Sequence, residues 1–104
     1  MIQLHVISKK PDQIKEIAEM LINEELITGV NVIDTASIHK SDKGEIEAVS
    51  TKMLIGRTKA ILFNTIERLL KDKYGDSIPA IYGMPIIGMD LKHLGKLMRE
   101  VKDV

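Results

Sequence analysis

The chain opens on alternation: Ile2, Leu4 and Val6 are apolar while Gln3 and His5 are polar. That is the period-two pattern of a strand with one buried face. Ser8-Lys9-Lys10-Pro11-Asp12 interrupts it, and Pro11 suits the first turn of a helix. Ile14, Ile17, Ala18, Leu21 and Ile22 then recur at helical spacing, with Lys15, Glu16, Glu19 and Asn23 opposite them. This predicts an amphipathic helix ending near Leu26, with Gly29 as its terminator.

From Gly29 to Thr58 the period returns to two. Val30-Asn31-Val32-Ile33-Asp34 and Met53-Leu54-Ile55 read as arms of a hairpin around the turn-forming Ser41-Asp42-Lys43-Gly44. Val30 and Val32 share a face, joined by Ala36 and Ile38 if the strand runs on. In the return arm Ile46 and Ala48 have one parity, and Val49, Thr51, Met53 and Ile55 the other. A flat strand cannot turn both sets inward, which predicts a bulge or kink with a register break near Ala48-Ser50. Arms of about ten residues or more exceed the usual five or six. Their edges call for a cover.

Thr58 is placed to cap a second helix with an apolar stripe of Ile61, Leu62, Ile66, Leu69 and Leu70, and Gly75 suits its C-terminal end. A fourth strand is expected over Ile78-Pro79-Ala80-Ile81-Tyr82-Gly83-Met84-Pro85-Ile86. Its two prolines cannot donate to a ladder, so they point to an edge or interrupted pairing. Asp90 then caps a terminal helix with Leu91, Leu94, Leu97, Met98 and Val101 inward. The order β-α-β-β-α-β-α predicts an α+β, ferredoxin-like βαββαβ sandwich with a C-terminal helix, as a single domain over residues 1–104.

Composition narrows the functional classes. Fifteen Lys and Arg balance fifteen Asp and Glu, which removes any global electrostatic argument for nucleic acid or an anionic membrane. The chain has one Phe, two Tyr and no Trp, so platforms for stacking bases are scarce, and Lys92, Lys96, Arg99 and Lys102 read as a solvated helix face. The absence of cysteine excludes disulfides, thiolate nucleophiles and thiolate metal ligands. The start carries no basic and apolar leader, and no apolar run reaches the 18 or so residues of a membrane span, so a cytoplasmic location is expected.

Catalytic signatures are missing: no G-x-G-x-x-G, Walker loop or G-x-S-x-G occurs. Among His5, His39 and His93, which read first as single surface histidines, His39 is the most interesting because Asp42, Glu45 and Glu47 lie across the same turn. Imidazole with Glu45 and Glu47 would suit a borderline divalent ion such as zinc or copper(II), while the plain alternative is a polar hairpin tip. Met84 and Met89 read as core fillers rather than copper(I) ligands.

Several stretches, in order, resemble the CutA divalent-cation-tolerance family. They are Glu25-Leu26-Ile27-Thr28-Gly29-Val30-Asn31, Ser37-Ile38-His39-Lys40 followed by Gly44-Glu45-Ile46-Glu47, Ile55-Gly56-Arg57-Thr58, the strand from Ile78 to Ile86, and His93-Leu94. The prolines six apart in the fourth strand are the most specific part. The resemblance implies a homotrimer joined through its long hairpins, with clefts between subunits, a fold related to the PII signalling proteins, and an association with copper and other divalent metals. Gly29 stands where the family carries a cysteine, Ala80 where it carries a glutamate, and the hairpin tryptophan is absent.

The expected function is therefore that of a non-enzymatic, CutA-like homotrimer in the response to metal ions, with copper or another divalent cation as the candidate cofactor. Its own copies, a metal ion or a small anion are the expected partners, with no nucleic acid and no membrane. The candidate cleft residues are Asn31, Arg57 and Tyr82, with Arg57 a fixed positive charge. The candidate metal residues are His39, Glu45 and Glu47. One rival is a PII-like small-ligand sensor; another is a small ferredoxin-like enzyme of the acylphosphatase or monooxygenase type.

Overall fold

A computed structural model describes residues 1–77 and 80–103. Strand β1 (Ile2–Ser8) leads to helix α1 (Pro11–Asn23), the hairpin β2 (Thr28–Lys40) and β3 (Ile46–Thr58), helix α2 (Phe63–Tyr74), strand β4 (Ala80–Pro85) and helix α3 (Leu91–Glu100). The antiparallel sheet has the order β2-β3-β1-β4, and the fold is the ferredoxin-like sandwich expected from the element order. β4 is an edge strand, as Pro85 within it demands. Pro79 and Ile78, the expected start of that strand, lie outside the described residues.

One face of the sheet is dry. Leu4, Val6 and Leu54 are shut from solvent against Ile14, Ile17 and Leu21 of α1, Ile66 and Leu70 of α2, and Leu97 of α3. The helices keep only part of their expected stripes inward: Leu91 and Met98 of α3 stay exposed, as do Ile22 and Ile61.

Local chemistry explains the element ends. Pro11 occupies the first turn of α1. The helix stops at Asn23, earlier than Leu26, because Glu25 takes a left-handed backbone (φ 58°). The amides of Glu25 and Leu26 then return to the carbonyls of Ile22 and Leu21, a Schellman closure. Gly29 does not terminate this helix. It sits in β2 with φ 63°, at the one-residue slip between the pairs Thr28↔Arg57 and Asn31↔Ile55.

Thr58 does not cap α2 either, since Leu62 occupies that position and no side chain caps there. The Thr58 hydroxyl is buried and donates to the carbonyl of Leu26 at 2.6 Å, tying β3 to the α1–β2 turn. Gly75 (φ 56°) closes α2 and Asp90 caps α3 through the His93 amide, both as expected. The tail beyond α3 is pinned by Lys102 N–H on the Glu25 carbonyl and by Lys59 Nζ on the Val101 carbonyl.

The expected kink near Ala48-Ser50 is absent. The β2–β3 register runs unbroken from Asn31↔Ile55 to Lys40↔Ile46. The inward residues of β3 are Leu54, Gly56 and Thr58, which share parity with Ile46 and Ala48; Met53 and Ile55 lie on the opposite face of the sheet, away from the helices. Gly56 hides this parity because it has no side chain. A Cβ there would fall within 2.6 Å of Ile27 Cγ1, so its absence lets Ile27 close the core over β3.

β1 accompanies β3 only as far as Ser8↔Lys52. Beyond it, from Thr35↔Thr51 to Lys40↔Ile46, β2 and β3 continue as a two-stranded ribbon that stretches the chain to 49 × 29 × 20 Å. Ile38 and Ile46, each 72% exposed, lie on one face of this ribbon near its tip.

Candidate functional site

Three helices cover one face of the sheet, and the other face is left open. Alternation along each strand decides what it carries. Gln3 and His5 of β1, Ile55 and Arg57 of β3, Asn31 of β2 and Tyr82 and Met84 of β4 share that open face. One cross-strand row reads Asn31–Ile55–His5–Tyr82, and in the next Gln3 lies between Arg57 and Met84. His5 Nε2–H donates to Gln3 Oε1 at 2.9 Å, and its ring lies 5.3 Å from that of Tyr82.

The candidate cleft residues are thereby separated within one chain. Asn31 is on one edge strand and Tyr82 on the other, three strand spacings or about 14 Å apart. Arg57 lies on β3 between those edges, one row along.

Arg57 has a setting the sequence did not reveal. Its guanidinium rests against the backbone of Gly29: a Cβ at position 29 would lie within 2.9 Å of Nη1, and closer still to Cζ and Nη2. Its Nε is shut from solvent with no hydrogen-bond partner among the described residues. No carboxylate among the described residues forms an ion pair with it.

Beside it opens a cleft of about 510 Å³, lined by Gln3, Arg57, Ile86, Gly88, Met89, Asp90 and His93. Asp90 is engaged already, holding His93 Nδ1 at 2.8 Å and the His93 amide at 3.2 Å. The side-chain bond from His93, then the backbone bond, hold the Asp90 carboxyl below its ordinary pKa of 3.8. In the sequence, Gln3 belongs to a strand pattern and Asp90 to a helix cap, with nothing to connect them to Arg57. Only the chain's path from β4 into α3 brings them to Arg57.

At the hairpin tip, His39 and Glu47 are cross-strand partners with Nε2 and Oε2 3.5 Å apart, both about half-exposed. Glu45 sits beside them in a shallow hollow that also contains Lys40, Ser41, Asp42 and Lys43. Among the described residues no group of three or more His, Asp or Glu is gathered closely enough to hold a metal. One imidazole and one carboxylate fall short of the four ligands of a structural zinc site, so a single chain does not complete a metal centre here.

A ferredoxin-like subunit with one open sheet face and a long projecting β2–β3 ribbon defines the structural class. The chain belongs to the family of the CutA1 divalent ion tolerance protein, whose model matches residues 2–98. Solved structures agree in fold. CutA1 from Pyrococcus horikoshii is 19% identical and superposes with a TM-score of 0.86, covering 99% of this chain and 100% of that one. CutA1 from Oryza sativa is 23% identical, with a TM-score of 0.85 and coverage of 99% and 94%. A protein of Archaeoglobus fulgidus described as the periplasmic divalent cation tolerance protein CutA is 21% identical, with a TM-score of 0.84 and coverage of 97% and 98%. Among curated proteins, none matches the chain in sequence. No helix among the described residues is long and apolar enough to cross a membrane.

Proposed function

We propose that this chain acts as a non-enzymatic homotrimer in the response to divalent cations. One observation carries the assembly. From Thr35↔Thr51 outward the hairpin pairs with no third strand among the described residues, yet its register is unbroken to Lys40↔Ile46 and its tip presents Ile38 and Ile46 to solvent. A lone two-stranded ribbon is marginally stable in water, and open apolar edges invite pairing. Contact with further copies of the chain supplies the missing cover, and family membership points the same way.

In such an assembly ligands belong in clefts between subunits, where Asn31 or Tyr82 of one copy can approach Arg57 of another. A divalent ion belongs at the hairpin tip, where His39, Glu45 and Glu47 need donors from elsewhere to complete its coordination. Light scattering on the purified chain tests the first part: a trimer mass is expected, and a monomer overturns the assembly. Titration with copper(II) and zinc tests the second, since unchanged binding in His39→Ala removes the tip from consideration.

A second reading, sensing of a small ligand in the manner of the PII proteins, has one specific observation in its favour. Arg57 is a permanent charge at an open cleft without a counter-ion among the described residues.

A further inference from the structure

We infer that residues 101–103 form a strap that opens as a unit of its own, and that the Lys59 ammonium is the fastener that keeps it shut beside the α1–β2 turn. Every contact used by the strap lies within one chain, whether that chain stands alone or in an assembly.

The strap occupies the Lys59 ammonium fully. An ammonium has three N–H donors, and Lys59 Nζ meets three acceptors, all on the strap: the Val101 carbonyl at 3.1 Å, the Lys102 carbonyl at 3.2 Å and Asp103 Oδ1 at 2.7 Å. The hydrogen bond from Lys59, then its charge, holds the Asp103 carboxyl below its ordinary pKa of 3.8. Lys59 follows directly on β3, and its side chain is only 15% exposed. A cation so far withdrawn from water needs acceptors, and bonds made by a charged donor are stronger than neutral ones. Without that charge, two ties to the body remain to the strap among the described residues. They are Lys102 N–H on the Glu25 carbonyl at 2.8 Å and the buried Val101 side chain.

What the strap holds is α3. Of the ten residues of that helix only Leu97 is buried within the subunit. Strap apart, the polar tie from α3 to the rest of the chain among the described residues is the Thr28 hydroxyl, which donates to Glu100 Oε2 at 2.6 Å. A segment with so little buried apolar surface opens at lower free energy than core strands do. The strap offsets this weakness. The chain leaves α3 in extended form at Val101, whose side chain joins the core while its carbonyl meets Lys59. The same strap steadies the left-handed Glu25, since that residue's carbonyl takes the Lys102 amide. Opening withdraws Val101 from the core and frees one wall, Lys96, Arg99 and Glu100, of a cleft of about 500 Å³ between α3 and the start of β2.

Hydrogen–deuterium exchange of the full chain, read by mass spectrometry at one protein concentration, tests the strap. Lys59→Met keeps the reach of the side chain and removes all three donors. Exchange in peptides covering residues 94–103 and 24–28 should quicken about tenfold or more, while peptides from β1 and the middle of β3 keep wild-type rates. Lys59→Arg keeps the charge and should restore much of the protection. Asp103→Asn leaves both carbonyl bonds and should quicken the same peptides less than Lys59→Met does. Unchanged exchange at residues 94–103 in Lys59→Met overturns the proposal. So does an equal rise in β1 and β3, because the strap would then open only with the whole fold. Equal exchange in Lys59→Arg and Lys59→Met overturns the role of the charge. If Lys59→Met does not fold, Asp103→Asn decides: a several-fold rise confined to these peptides is expected, and no rise overturns the proposal.

Discussion

Replacing Gly29 by alanine tests how β2 and Arg57 fit each other. Two costs follow from the structure, and they differ in origin. The first is local. Gly29 has φ 63°, and an L-residue held in that left-handed region costs about 1–2 kcal/mol. The second is a contact: the new methyl would strike the Arg57 guanidinium, the far end of a flexible side chain. Moving that end off its rotamer costs about 0.5–1.5 kcal/mol. Gly29→Ala should therefore destabilise the fold by about 1.5–3.5 kcal/mol. In an Arg57→Ala background only the backbone cost remains, so a double-mutant cycle should return a coupling of about 0.5–1.5 kcal/mol. Urea unfolding of the four proteins at one protein concentration measures both quantities, the fixed concentration being required because assembly would make stability depend on it. Additivity of the two substitutions within about 0.3 kcal/mol would refute the contact. Wild-type stability in Gly29→Ala would refute the backbone strain as well.

Three further outcomes are expected. Thr58→Val keeps the shape of the side chain but removes the only hydroxyl donated to the Leu26 carbonyl among the described residues, and it should cost about 1–3 kcal/mol in urea unfolding. Leu54→Ala opens a void where β3 meets the helices and should cost about 2–5 kcal/mol by the same assay, whereas Ile38→Ser at the exposed ribbon should leave the subunit fold intact by circular dichroism. Asp90, with its folded pKa depressed, contributes stability that is present above its ordinary 3.8 and is lost as pH falls through the lower folded value. Acid-unfolding curves of Asp90→Asn should therefore lack that part of the low-pH decline.

Periodicity made the architecture legible. Helix stripes in α1 and α2 and alternation in β1 and the hairpin gave the element order, and the order implied the sandwich. The kink failed for a physical reason: Val49, Thr51, Met53 and Ile55 look like an inward set only if one apolar face must be the core. In this sheet the opposite face, with Leu54, Gly56 and Thr58, meets the helices. Gly56 removes one member from the visible pattern, and Met53 and Ile55 belong to a face that the chain itself leaves uncovered. The cap assigned to Thr58 failed because its hydroxyl has a better use in the interior, on a carbonyl distant in sequence. Likewise Gly29 looks like a helix terminator, but its positive φ serves a strand bulge while Glu25 ends the helix. The cleft was legible only in Arg57, since Gln3, Met89, Asp90 and His93 carry no shared motif and meet through topology.

The two candidate chemistries of this chain are also too far apart to be one site. From Glu47 to Arg57, β3 runs without a register break, which at the ordinary strand rise is about 33 Å. Charges in water at physiological salt are screened over about 8 Å. A cation at His39 and Glu47 thus cannot alter, within the same subunit, the affinity of Arg57 for an anion by direct electrostatics. Any such influence would need a route other than direct charge, and the proposed homotrimer offers one between copies. Titrating copper(II) with and without inorganic phosphate present therefore tests the proposed assembly: mutual dependence supports contact between copies, and independent binding speaks against it.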